Sequence, residues 1–202
     1  MSSKETYIST SALIGTGVVI EDGVKIWGYT HIREHAHIGH STIIGENVYI
    51  GAGVSIGANC KIQNRAIIYE PTVIEDGVFI GPGVIITNDK NPRSITTESL
   101  LKTTADWETS RVHVQKGASL GAGTVCVAPI EIGNWAMTGA GAIVTKDVLD
   151  FSLVVGSPAM QIGWVGRSGF RLKKENDTLF ICPVTSERYL LSNGRMQLEN
   201  DS

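Results

Sequence analysis

From Ile8 to Ile86 an isoleucine stands at every sixth position of the chain without interruption. An amphipathic helix needs apolar residues three or four apart, and a half-buried strand needs them two apart. A strict period of six satisfies neither, so the pattern predicts a repeat architecture. A second regularity gives its shape. From Ile14 onward, the residue four after each isoleucine is small or β-branched: Val18, Val24, Thr30, Ala36, Thr42 and so on to Val84. That residue also lies two before the next isoleucine, so each hexad reads in–out–in, a very short strand followed by a corner. Three after the isoleucine come Gly17, Gly23, Asn47, Gly53, Asn59, Gly77 and Gly83, residue types that accept positive φ at low cost. Strand and corner alternating in this way predict a chain wound round a prism. One hexad cannot fold alone, but stacked turns bury a continuous core.

The phase is lost after Ile86. Residues 87–111 carry no hexad pattern and are rich in charges and turn formers, and a loop of that length in a compact domain is usually functional or disordered. The period resumes at Val112 and Val114 and continues through Leu120, Cys126, Ile132, Thr138 and Val144. The organisation expected is an all-β solenoid over residues 1–149 with an extruded loop at about 87–111. Residues 150–202 form an extension with a basic stretch and a small hairpin capping the end.

Charge and cysteine content narrow the class. The formal net charge is −3, which leaves no basic footprint for nucleic acid. Met1 to Thr10 is polar, unlike a signal peptide, and no stretch approaches a membrane span, so a soluble cytoplasmic protein is expected. Cys60 and Cys126 occupy inward repeat positions and Cys182 lies in the extension, a pattern of reduced core residues with no metal site.

Hexads such as IGTGVV, IGENVY, IGAGVS and IGANCK, the extruded loop, and the closing Val155, Gly156, Ser157, Pro158 and Ala159 resemble the left-handed β-helix acyltransferases. The resemblance covers about residues 8–165. It implies three hexads per turn, a left-handed winding, a homotrimer, and acetyl-CoA lying in a groove between neighbouring prisms. A finer match is carried by VIEDGVFIGPGVIITNDKNPR, DWETSRVHVQKGASLGAGTV and VVGSPAMQIGWVG followed by ICPVTSERYLL. These segments resemble bacterial N-acetyltransferases that modify the 3-amino group of a UDP-linked 2-acetamido-3-amino uronic acid for surface polysaccharides. Enzymes acting on dTDP-linked 3-amino-6-deoxyhexoses share much of the pattern.

With three hexads per turn, residues eighteen apart stack about 4.8 Å apart. One prism edge then gathers Arg33, Glu34 and His35, next Tyr69 and Glu70, and finally Asn88 and Asp89 at the root of the loop. The span from Arg33 to Asn88, about 14 Å over three turns, suits a nucleotide-sugar. Arg33 is expected to meet a uronate carboxylate or a phosphate, and Tyr69 to stack on the base. The resemblance places the acceptor at Asn88. There Asn88 would hold the amine and Asp89 would accept a proton, with no covalent intermediate. The resemblance also implies that β-helix O-acetyltransferases use a loop histidine to deprotonate a hydroxyl; residues 87–111 contain none, which favours an amine acceptor, and His113, just after the loop, is a secondary candidate base.

The same stacking sets Gly121-Ala122-Gly123 beneath Gly139-Ala140-Gly141, a side-chain-poor strip where the resemblance implies the pantetheine arm runs. Backbone N–H groups there would polarise the thioester carbonyl. Lys146, Arg167, Arg171 and Lys173 are candidates for the CoA phosphates. Two rival readings compete. A β-helix carbonic anhydrase needs three histidines round zinc, and no histidine occurs between His40 and His113. A non-catalytic solenoid explains the repeat but not the loop or the glycine strip.

Overall fold

The computed structural model describes residues 5–199, so the first four residues of the polar N-terminal segment lie outside it. Each hexad gives one strand of two residues. Lys25–Ile26, His31–Ile32 and His37–Ile38 follow one another in the chain but lie in three different sheets. Each pairs in parallel with the strand one turn on: Ile26 with Ile44, Ile32 with Ile50, Ile38 with Ile56. The chain is a left-handed parallel β-helix of about 8 turns.

Its three faces run from the strand Tyr7–Ile8 (first face, 9 strands), from Leu13–Ile14 (second face, 7 strands) and from Val19–Ile20 (third face, 6 strands). Edges join them in chain order: the first edge links the first and second faces, the second edge the second and third, and the third edge the third and first.

The isoleucines from Ile26 to Ile86 are buried in a single apolar column. Each contributes roughly 1.5–3 kcal/mol to folding. Ile8 and Ile14 remain 41% and 38% exposed, with no turn beneath them among the described residues. The β-branched inward positions include Thr30 and Thr42, whose buried hydroxyls donate to Gly45 O at 2.7 Å and Gly57 O at 2.8 Å. A polar atom thereby enters the core without losing its hydrogen bond. The corner residues expected at positive φ adopt it: Gly17, Gly53, Asn47 and Asn59 lie at 71°, 65°, 55° and 56°. Tyr29, His35, Arg65 and Trp135 do the same at 57–62°, so the turn imposes this geometry even on bulky residues.

The loop leaves at the second edge. Ile74 pairs with Val114, forty residues on where eighteen is usual, so 22 residues are inserted without loss of register. Asn88 O accepts from Ser110 N–H at 2.8 Å and closes the neck. Cys60 and Cys126 are buried in the prism, and all three cysteines are free.

The end of the chain is larger than the small hairpin expected. Ser152–Val155 extends the first face beyond residue 149, pairing in parallel with Met137–Thr138. After it comes an antiparallel sheet of 4 strands, Lys173–Lys174, Leu179–Ile181, Arg188–Ser192 and Arg195–Leu198. Phe151, Leu172, Cys182, Tyr189 and Met196 form its own small core. Lys173 and Lys174, part of the expected basic stretch, are its edge strand.

Candidate active site

Ile32, Ile50, Ile68 and Ile86 stand in register on the second face, so the corners that follow them stack along the second edge. Arg33, Glu34 and His35, then Tyr69 and Glu70, then Asn88 and Asp89 are brought into one row. Within the row their states differ. Arg33 closes a two-pronged pair on its neighbour, Nε to Glu34 Oε2 at 2.7 Å and Nη2 to Oε1 at 2.6 Å. Hydrogen bonding to that guanidinium pulls the Glu34 carboxyl down to about 2. The fork expected to meet a substrate anion is therefore already filled. His35 turns downward, its ring lying where a Cβ on Gly17 would stand, 2.6 Å from Nδ1. Tyr69 is 39% exposed, with its ring 5.4 Å from that of Tyr49.

At the root of the loop, Asp89 Oδ1 accepts from Asn91 N–H at 2.8 Å, the side-chain-to-backbone bond of a turn. The loop adds residues to which the repeat pattern assigns no role. Arg93, Lys102 and Trp107 line a cavity of about 350 Å³ together with Asn88 and Asp89. Trp107 also borders a second cavity of about 610 Å³, with Glu70, Glu108 and Thr109. Trp107, the one aromatic residue of the loop, was the available signal.

The glycine strip lies on the first edge. A Cβ on Gly121 would stand 2.6 Å from Thr138 O and 2.7 Å from Ala140 N, so the stacking of backbones itself requires glycine there. A Cβ on Gly139 would meet Val155 at 2.7 Å. Gly83, Gly123 and Gly141 are different, since nothing lies within 4 Å of a Cβ on any of them. Lower on the same edge the equivalent corner position is filled by Tyr29, Asn47 and Arg65, all at positive φ. The prism tolerates side chains at this position, yet the upper turns have none.

The cationic candidates are scattered. Lys146 is exposed on the second edge, following the strand Ile143–Val144, and Ala140 lies on the first. Arg167 is held in the C-terminal sheet by Glu187, with Nε donating to Oε1 at 3.1 Å. Arg171 Nη2 donates to Ile162 O at 2.6 Å. His113 faces outward on the third face, 22% exposed, with Nε2 at 2.8 Å from Glu75 Oε1. His37 and Glu21 repeat that pairing at 3.0 Å lower on the same face.

The comparisons with known proteins agree with this architecture. The family described as Bacterial transferase hexapeptide (six repeats) matches residues 17–57 and 53–88. Residues 17–88 carry the bacterial transferase hexapeptide repeat. A dTDP-3-amino-3,6-dideoxy-alpha-D-galactopyranose 3-N-acetyltransferase of Aneurinibacillus thermoaerophilus is 41% identical over 85 residues, 42% of this chain and 43% of that protein. The alignment thus spans less than half of that relative. Two solved structures share the fold at lower identity. The N-acyltransferase AntD of Bacillus cereus, in complex with dTDP-4-amino-4,6-dideoxyglucose and coenzyme A, has a TM-score of 0.56 at 18% identity and covers 82% of this chain and 83% of its own. The acetyltransferase domain of PglB from Neisseria gonorrhoeae, with acetyl coenzyme A, has a TM-score of 0.53 at 16% identity, covering 79% and 58%. Among the described residues no helix is long and apolar enough to cross a membrane.

Proposed function

We propose that this hexapeptide-repeat chain is an acetyl-CoA-dependent N-acetyltransferase acting on the 3-amino group of a nucleotide-linked amino sugar, and that its active site forms between copies in a homotrimer. The observation that carries the reading is the position of the second face. Its outward column is Leu13, His31, Tyr49, Ile67, Ile85, Val125 and Ile143, the most apolar of the three with one histidine among seven residues, and it is flanked by the acceptor row on one edge and the glycine strip on the other. A second copy of the chain is the natural cover for such a face. If three copies turn this face inward, the first edge of each faces the second edge of the next. Asn88 of one copy then meets the glycine strip of its neighbour, two groups that no single prism brings together.

Chemistry at that junction is direct. The acceptor's neutral amine attacks the thioester carbonyl, the C–N bond forms, the C–S bond breaks, and the nitrogen's proton leaves with the CoA sulfur. Asn88 orients the amine through its side-chain carbonyl, and backbone N–H groups of the strip polarise the thioester. The bare corners at Gly123 and Gly141 support the placement of the pantetheine arm, since the fold itself does not require glycine there.

For the acceptor, the finer resemblance favours a UDP-linked 3-amino uronate, a precursor of surface polysaccharide. A dTDP-linked 3-amino-6-deoxyhexose is the second reading, and two observations favour it. The Arg33 fork is occupied by Glu34 rather than free for a uronate, and the Aneurinibacillus relative is named for such a sugar. Thiol release from acetyl-CoA with the two acceptors side by side tests both. Turnover of either sustains the reaction class and picks the sugar, and release with neither refutes it.

A further inference from the structure

Several corners of the prism carry an acid or amide that ties one turn to the turn below. Asn64 Oδ1 accepts from Glu46 N–H at 3.0 Å, Asp76 Oδ1 from Ala58 N–H at 2.7 Å, and Asp150 Oδ1 from Asn134 N–H at 2.8 Å. Each of these short side chains sits over a glycine, Gly45, Gly57 or Gly133, in space that a Cβ would take. Glu70 occupies the same corner position, over Gly51, and an added Cβ on Gly51 would collide with its Oε2. Yet Glu70 Oε2 is shut off from solvent without a hydrogen-bond partner. The extra methylene carries the carboxylate past the bond that Asp76 makes. A buried, unpartnered carboxylate oxygen is costly, and as a turn-to-turn tie Glu70 is the wrong length.

Its surroundings suit a cation. The cavity beside it is lined by Trp107, Glu108 and Thr109, two carboxylates and an aromatic face with no basic side chain. An ammonium group there gains both charge pairing and attraction to the indole face. Asn88 stands one turn above Glu70, in the register set by Ile68 and Ile86. Asp89, by contrast, is engaged in its own turn with Asn91.

We propose that Glu70 selects an amine-bearing acceptor: its carboxylate, through the oxygen not sealed over Gly51, receives the sugar's ammonium group in the cavity shared with Trp107 and Glu108, beneath Asn88. The inference rests on the acetyltransferase reading above and assigns Glu70 the recognition of positive charge; the ammonium gives its extra proton to water before transfer, and Asn88 orients the nitrogen once neutral. It also explains why a glutamate stands where the fold's own tie would use aspartate.

The test compares a dTDP-linked 3-amino-3,6-dideoxyhexose with its 3-hydroxy counterpart, by calorimetric Kd and by acetyl transfer, in the wild type, Glu70→Gln and Glu70→Asp. The wild type is expected to bind the amine at least tenfold more tightly than the alcohol, the scale of a charge-assisted hydrogen bond. Glu70→Gln should lose that preference with an unchanged or raised Tm. Glu70→Asp should also lose it while gaining Tm, because the shorter chain reaches the Ala52 N–H as Asp76 reaches that of Ala58. A Glu70→Gln variant that keeps the preference but melts lower would show a structural tie and overturn the inference. Glu70→Asp with full amine preference would overturn it as well. Acetyl transfer by the wild type to neither a 3-amino deoxyhexose nor a 3-amino uronate would instead remove the reading beneath it.

Discussion

Gly141→Asn separates what the prism needs from what a bound ligand needs. Gly141 lies at φ 72° with open space where a Cβ would stand, so the only folding cost is the left-handed backbone of a non-glycine residue. That cost is about 1–2 kcal/mol, and asparagine is among the residues that bear it best. Asn47 already occupies the same corner on the same edge at φ 55°. For a chain of this size the expected fall in Tm is about 2–8 °C. Gly121→Ala is the contrasting variant. Its Cβ would stand 2.6 Å from Thr138 O and 2.7 Å from Ala140 N, backbone atoms that cannot turn aside, and overpacking of that kind costs about 1–3 kcal/mol or more. If the pantetheine arm runs over the strip, Gly141→Asn should weaken acetyl-CoA binding tenfold or more in calorimetry, beyond anything its small stability loss explains. Wild-type acetyl-CoA affinity together with the expected small fall in Tm would refute the placement of the cofactor. Gly123→Asn, one turn below, should behave in the same way.

Three further outcomes follow from the geometry. Ile62→Ala removes a fully buried side chain at mid-prism and should cost about 2–5 kcal/mol in denaturant unfolding, whereas Ile8→Ala, at a position 41% exposed, should cost much less. The Glu34 carboxyl is held at about 2 against an ordinary 4.5, so the stability it adds is fully present above pH 4.5 and is lost as pH falls through about 2. Thermal melts across that window should show a smaller acid dependence in Arg33→Met than in the wild type. Ile85→Lys puts a charge in the apolar column of the second face; if that face is the proposed contact between copies, sedimentation should show trimers for the wild type and monomers for the variant, and a monomeric wild type would refute the contact.

The fold was legible because one physical demand repeats. Each turn buries one isoleucine per face, so Ile8 to Ile86 announces the period, and the register follows once three hexads make a turn. The row Arg33, Tyr69, Glu70 and Asn88 could be placed on one edge for that reason. What the side chains do within the row was not legible. Arg33 and Glu34 are sequence neighbours, and only the corner geometry turns them into a closed pair. The spacing of Lys146 could not tell which edge it occupies, because the count passes through a 22-residue insertion that the alignment of Ile74 with Val114 reveals. Arg167 read as a free cation because its partner Glu187 lies twenty residues away in a sheet with no repeating pattern. The same lack of period hid the four-stranded end, where Tyr189 and Leu172 share one small buried core. The glycines were half legible. Their spacing marks the corners, but only the neighbouring turns distinguish Gly121, which the backbone requires, from Gly141, which it does not.

In the proposed assembly one site is built from the second edge of one copy and the first edge of the next. Its most direct test is complementation between Asn88→Ala and Gly141→Asn chains, each strongly impaired alone when acetyl-CoA is held well below the Kd of the Gly141→Asn chain, coexpressed so that mixed trimers assemble. In randomly mixed threefold assemblies, about a quarter of the junctions join an intact Asn88 to an intact strip, so thiol release should return to about a quarter of the wild-type rate. Mixed trimers that stay as inactive as either parent would contradict a site shared between copies.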